Sequence, residues 1–512
     1  MQNGSEHTAP KPSAEAQQNA DLPVSKIVYA LMFTGFLLRV CFALITQNVD
    51  HPDEIFQYLE PAHRLVFGYG FTTWEFRFGA RSWLIPLVIS IPLYLCQAFH
   101  LSNPSVYIPA VKIMFCLIST SVIFSSYTIA RNILSERAGL IAAVVATLWY
   151  ELIYFSFRPL ADVQSTYFLL LSMAFLVDKE KRGRPYLFAL CAGLSTILRI
   201  QYAPVLLFML VLTFFRWTRV RSLICVGVYA LVLMLAGLLD YFTWGSLFAS
   251  VYNTVLFMGM HDIGVLFAPS RPLFWHIERL ISTSGGLLLA AFGISCYFFR
   301  RFWLTVTSIS IVLVLHSLSP AKEYRYIFAA VPLMLITASM LYDFWLTQNP
   351  PLNRSKTPLM VGCAALLGVS FAGYENVLPN ENTTFPFTPL SENQPYFNGF
   401  QYLSTQNDLA ALLIDGRAIY QCGGYYYLHK NVPIYRTQVE FQNCDQATPC
   451  ISHMLSPENG LCSELTPVAN FGPIALGKSI KPSYRPIDGW SKNIWLPGID
   501  DKYPVTVQPL LH

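Results

Sequence analysis

Long apolar stretches separated by short polar segments run through most of this sequence, and a helix needs roughly 17 to 25 such residues to cross a bilayer. The runs are Ile27 to Ile45, Val106 to Ile129, Ala138 to Phe155, Val163 to Val177, Leu187 to Leu198 and Pro204 to Phe215. Leu223 to Leu239, Leu287 to Phe299, Trp303 to Leu315, Ile327 to Trp345 and Leu359 to Phe371 follow. They predict an all-α polytopic membrane protein of about eleven spans. Trp83 to Phe99 is apolar too, but Pro86 and Pro92 interrupt it. Proline removes a donor and kinks a helix, so this stretch reads as membrane-parallel or re-entrant.

The segments between the runs set the orientation, because basic residues stay on the cytosolic side. Arg131 and Arg137, Lys179 to Arg184, Arg216 with Arg219 and Arg221, Arg300-Arg301, and Arg354 with Lys356 fall in alternate loops. Residues 1–25 are polar and rich in Ala, Gln and Pro, as expected of a disordered cytosolic tail. The membrane domain is then 26–373, and its other loops face the lumen or periplasm. The first of these, 47–104, is large. From 374 to 512 the composition shifts to Asn, Pro, Thr, Tyr and Gly, which predicts a small α/β or β-rich exported domain. Strands are expected at Ala418 to Tyr427 and Val432 to Tyr435, around a Gly423-Gly424 turn.

Composition agrees with this picture. Hydrophobic residues make up 54% and charged residues 12% of the chain, outside the range of soluble domains. The net charge of +4 gives no reason to expect nucleic acid. Four of the 11 cysteines, Cys422, Cys444, Cys450 and Cys462, lie in the exported part, where they suit two disulfides in any of three pairings. The others lie in or beside apolar runs as packing residues, and none has metal-ligand spacing. Asn382-Thr383-Thr384 is a sequon on the exported side, whereas Asn353-Arg354-Ser355 is cytosolic.

Polar residues that are expensive beside a membrane gather on the exported face. Asp53 and Glu54 follow His51-Pro52, with His63, Arg64 and Arg81 in the same loop. Arg158 and Asp162, four apart, either pair on a helix face or serve a site. Arg199, beside Gln201, calls for an anionic partner, either a protein carboxylate or a ligand phosphate. Asp240, His276 and the cluster Lys322-Glu323-Tyr324-Arg325-Tyr326 complete the set. A helical turn would point Lys322 and Arg325, three apart, the same way, suiting a phosphate, although both could equally be interfacial cations. There is neither a Walker pattern nor a strand-borne G-x-G-x-x-G, so a soluble nucleotide donor is not indicated. Carboxylates level with basic groups suit a lipid-linked phosphate substrate, one carboxylate deprotonating an acceptor hydroxyl.

His51-Pro52-Asp53-Glu54, then Gln57 to Arg64 and Gly68 to Glu75, closely resemble the first lumenal loop of glycosyltransferase family 22, the dolichyl-phosphate-mannose-dependent mannosyltransferases, and within it the GPI mannosyltransferase III branch. Leu239 to Gly245 and Lys322 to Tyr326 continue the resemblance, with Ala321 where a histidine usually stands. It implies a GT-C fold and inverting transfer of mannose from a polyprenyl-phosphate-mannose donor to a glycolipid acceptor, with no cofactor or metal. By position Asp53 is then the general base, Glu54 second, and Arg325 and Lys322 hold the donor phosphate. His51, His63, Arg64, Arg81, Arg158, Asp162, Arg199, Gln201, Asp240, His276 and Glu323 remain candidates for substrate contact. The location would be the endoplasmic reticulum membrane of a eukaryote, or the inner membrane of a bacterium. Alternatives are a bacterial glycosyltransferase using another polyprenyl-phosphate sugar, or a transporter of lipid-linked sugars, for which polar residues at mid-span would be expected.

Overall fold

The computed structural model describes residues 24–178, 184–260, 270–349 and most of 394–479, with isolated residues such as 362, 364–365, 368–370, 487 and 492. The expected cytosolic tail up to residue 23, the Lys179 to Gly183 cluster, both sequons, Cys422 and most of the run Leu359 to Phe371 lie outside the described residues.

Helices form where the apolar runs predict them, and their ends carry ordinary start signals. Asn103 accepts from the Ser105 amide at 2.9 Å with Pro104 in the first turn, and Ser135 accepts from the Ala138 amide at 3.1 Å. Five helices are long and apolar enough to cross a membrane: Ser25–Ile45, Pro104–Ile133, Arg219–Trp244, Phe299–Leu318 and Ala330–Gln348. Trp275–Ser284 and Leu287–Tyr297, bent by 112°, would make a sixth. The expected count of about eleven is therefore not reached by length and composition among the described residues. The other runs give shorter apolar helices such as Ala161–Val177 and Pro185–Leu198. Trp83 to Phe99 yields the helix Leu84–Ala98 around Pro92, whose 15 residues span about 22 Å, short of a ~30 Å hydrocarbon core.

After the membrane part a five-stranded sheet runs in the order β2-β1-β3-β5-β4: β1 Leu412–Ile414, β2 Ile434–Arg436, β3 His453–Pro457, β4 Leu465–Phe471 and β5 Ile474–Ser479. β1 pairs parallel with β2 and β3, and β5 pairs antiparallel with β3 and β4. The all-buried triplets of β1 and β2 suit a parallel sheet covered on both sides. The strand expected over Ala418 to Tyr427 is absent where described. Tyr425–Leu428 is a short helix ended by His429 at φ 48, because Gly424 at φ +115 turns the chain out of an extended path. Cys444 and Cys462 form a disulfide.

Candidate active site

The segments that carry Asp53, Arg199 and Arg325 depart from regular α-helix where these side chains are delivered. Asp53 is the N-cap of a π-helical turn, Glu54–Leu59, that continues into the helix Glu60–Phe67. π-turns concentrate at functional sites because they re-aim neighbouring side chains. Asp53 and Glu54 therefore diverge. Glu54 keeps only 5% of its side chain exposed, and its Oε1 takes the Arg158 guanidinium at 2.9 Å and the Asp50 amide at 2.7 Å. Arg158 is fully buried, its second nitrogen bonded to Asn48 Oδ1 at 2.8 Å and its guanidinium over the Tyr154 ring at 4.1 Å.

Asp53 keeps 19% of its side chain exposed and faces a different group. Its Oδ2 lies 2.7 Å from Arg325. Arg325 sits on the 3-10 turn Tyr324–Ile327, where it also meets Glu323 at 2.5 Å and Asp162 at 3.8 Å. Asp162, at the start of Ala161–Val177, pairs with Arg199 at 2.7 Å. Arg199 is extended, at φ −147, between two helical segments and lies over the Tyr326 ring at 4.5 Å. His51 stands 3.4 Å from Asp53 and 3.6 Å from Glu323. Three carboxylates, two guanidiniums and an imidazole thus converge from four segments of the chain.

The electrostatics favour an ionised Asp53. Burial alone would raise its carboxyl, but His51 and Arg325 outweigh burial and hold it well below the ordinary value of 3.8. Burial and Arg325 both oppose charge on His51, yet Asp53 and Glu323 raise it above 6.5. Glu323 is lowered likewise, Arg325 and His51 overcoming burial. Arg81 adds positive potential at Asp53.

The two expectations for Arg158 and Arg199 are resolved. Arg158 and Asp162 do not pair with each other: Pro159 and Leu160 precede the helix that begins at Ala161, so the two residues share no helix face. Arg199 has a protein carboxylate as partner. The expected shared direction of Lys322 and Arg325 is corrected, since Glu323 is extended (φ −129, ψ 148) and no helical turn joins them. Lys322 instead donates to the carbonyls of Ser319 and, at 3.2 Å, Arg271. Other candidates are engaged away from the cluster. His63 contacts His429 at 3.0 Å, Arg64 donates to Thr72, and Asp240 accepts from the Ser250 amide and hydroxyl at 2.9 and 2.6 Å. Gln201 is exposed. His276 contacts the Glu323 carbonyl at 3.2 Å and so supports the turn rather than the charge cluster.

Apart from Tyr326, which lies in the cluster read from the sequence, the following contributors were not singled out there. Tyr326 donates to Glu323 at 3.0 Å. Gln57 donates to Glu75 at 3.0 Å, and both are buried in the first loop. Glu151 accepts from Tyr324 at 2.7 Å and Tyr150 at 2.9 Å, which anchors the turn bearing Arg325. A lone acid inside the apolar run Ala138 to Phe155 was the available signal for Glu151. Among the described residues no group of three or more His, Cys, Asp or Glu is placed to hold a metal ion.

The fold has solved counterparts of low sequence identity. A crystal structure of ArnT from Cupriavidus metallidurans bound to undecaprenyl phosphate matches 90% of this chain and 100% of that one, with TM-score 0.61 and 12% identity. Its apo state matches with TM-score 0.56. The chain belongs to the Alg9-like mannosyltransferase family, whose model covers residues 30–429. GPI mannosyltransferase 3 of Yarrowia lipolytica is 30% identical over 361 residues, 69% of this chain and 68% of that protein. The Trypanosoma brucei brucei protein of the same name is 24% identical over 78% of this chain and 77% of its own length. Human GPI alpha-1,2-mannosyltransferase 3 is 22% identical over 63% of this chain and 58% of its own. The chain is thus a glycosyltransferase.

Proposed function

We propose that the protein transfers mannose, with inversion, from a polyprenyl (dolichyl) phosphate to a hydroxyl of a GPI-type glycolipid, at the exported face of the endoplasmic reticulum membrane. The relatives' names support the acceptor class, and the undecaprenyl phosphate bound by ArnT supports the donor class. The observation that carries the reading is the pairing of a partly exposed, ionised Asp53 with Arg325 at 2.7 Å. Asp53 takes the proton of the acceptor hydroxyl as its oxygen bonds to C1 of mannose. The C1–O bond to phosphate breaks, with its electron pair leaving on the lipid phosphate. Arg325, with Arg199 behind Asp162, stabilises that leaving charge. Donor binding draws Arg325 toward the phosphate and loosens its hold on Asp53, which frees the base only when donor is present. Glu54, tied to Arg158, supports the loop and takes no proton.

Polyprenyl-phosphate-mannose labelled in the sugar, given to membranes with an acceptor glycolipid, tests this. Asp53→Asn is expected to slow transfer about 10²- to 10⁴-fold, and transfer at the wild-type rate would end the assignment. The guanidiniums supply the charge that a divalent ion otherwise would, so chelation with EDTA is expected to leave the rate unchanged. A rate that falls with EDTA and returns with a divalent ion would overturn that part.

A further inference from the structure

The helix that starts at Asp53 is shared between two cores. Tyr58, Leu59 and Ala62 pack with the membrane helices, whereas Ile55 and Phe56, directly after the two acids, belong to the apolar cluster formed with the sheet domain. Polar contacts repeat this sharing. Glu60 is fully buried. Its Oε2 accepts from the Phe71 amide at 2.8 Å and its Oε1 from the Tyr426 amide at 2.6 Å. The two amides come from the first loop and from the far end of the chain. Close approach requires glycine at 424: a Cβ there would overlap Glu60 Oε1, in a backbone at φ +115 that L side chains rarely adopt. Two further contacts flank this one. His63 meets His429 at 3.0 Å, and the Tyr107 hydroxyl, from a membrane helix, donates to the Tyr426 carbonyl.

We propose that Gly424–His429 is a positioning latch for the transfer site: through Glu60 it fixes the helix whose N-cap is Asp53, so that the domain after the membrane part sets Asp53 against Arg325. This rests on the transfer reading above. The helix is held at its start by the Glu54–Arg158 pair and one turn later by the latch. Loosening the second anchor leaves two buried amides without an acceptor and lets the helix shift. A displacement of about 1 Å at a reacting group costs on the order of 10²-fold in rate. Glu60 touches no substrate in this scheme and acts through Asp53.

The test uses the full chain in lipid nanodiscs, with polyprenyl-phosphate-mannose and an acceptor glycolipid. Gly424→Ala is expected to lower kcat on the order of 10²-fold while KM for the donor stays at its wild-type value, since Arg325 and Arg199 lie on other segments. Glu60→Gln, which keeps one acceptor oxygen, should retain more activity than Glu60→Ala. Tyr107→Phe should lower kcat by a smaller factor. Glu60→Gln and Tyr107→Phe change little volume, so they decide the matter if Gly424→Ala does not fold. Asp53→Asn is run in parallel. If Asp53→Asn transfers at the wild-type rate, the transfer reading fails. If Asp53→Asn is inactive while Gly424→Ala, Glu60→Gln and Tyr107→Phe keep wild-type kcat at a temperature where each is folded, the latch is overturned. Equal rises in donor KM for all latch variants, with kcat unchanged, would also overturn it.

Discussion

Two adjacent acids, Asp53 and Glu54, carry the same charge and meet opposite environments, so they should fail differently when removed. Glu54 neutralises a fully buried guanidinium, and deleting one partner of such a pair leaves an uncompensated charge. Glu54→Ala should therefore lose about 3 to 5 kcal/mol of stability, read as thermal unfolding in detergent, with activity falling only as folded protein is lost. Asp53→Asn should unfold near the wild-type temperature yet lose transfer. The same site has a signed pH response. Asp53, depressed below 3.8, contributes stability that is present above 3.8 and is lost only as pH falls through its lower folded value. His51, raised above 6.5, contributes stability that is complete below 6.5 and is lost as pH rises through its folded value. The unfolding temperature should thus decline on the alkaline side of 6.5, and His51→Gln should remove that decline; an unaltered profile in His51→Gln would discard this role for the imidazole.

At the scale of elements, the turn around Lys322 to Tyr326 separates two cations that sequence spacing had joined. Lys322 closes the turn on the Ser319 and Arg271 carbonyls, whereas Arg325 alone reaches Asp53, Asp162 and Glu323. A lysine cannot reproduce a guanidinium that meets three carboxylates. Arg325→Lys is accordingly expected to slow transfer by about 10²-fold or more, and Lys322→Met by less than about tenfold, both measured as kcat/KM for the donor; the reverse order would return Lys322 to the phosphate. The apolar runs and the acidic first loop were legible because each leaves a local pattern, whereas of the two strands expected after the membrane part only Val432 to Tyr435 overlaps an observed one, β2. What joined the charges was not legible, since it depends on breaks in helices. Spacing alone allowed Arg158 to pair with Asp162, and only the extended stretch before Ala161 sends them to Glu54 and to Arg199 and Arg325. Likewise Tyr425–Leu428 resembles a strand by composition, and Gly424 turns it into a helix that meets Glu60.

Across the whole molecule, the basic belt and the candidate site lie at opposite ends of the same helices. Arg184 precedes and Arg199 follows Pro185–Leu198, whose 14 residues separate them by about 21 Å. Arg131 and Arg216 fall in the last turns of helices that run away from the site. Retention of those cations on the cytosolic side, as the positive-inside rule predicts, would leave Asp53, Arg199, Arg325 and the sheet domain on the other. That arrangement makes sidedness measurable without any assay of transfer. A cysteine replacing exposed Arg219 should react with an impermeant thiol reagent in sealed microsomes, whose outer face is the cytosolic one, without any need to make them leaky. A cysteine replacing exposed Asn407, beside β1, should show the opposite pattern. Labelling of both from one face would mean that an even number of crossings separates Arg219 from Asn407, and it would overturn the assignment of the basic belt and the sheet domain to opposite sides.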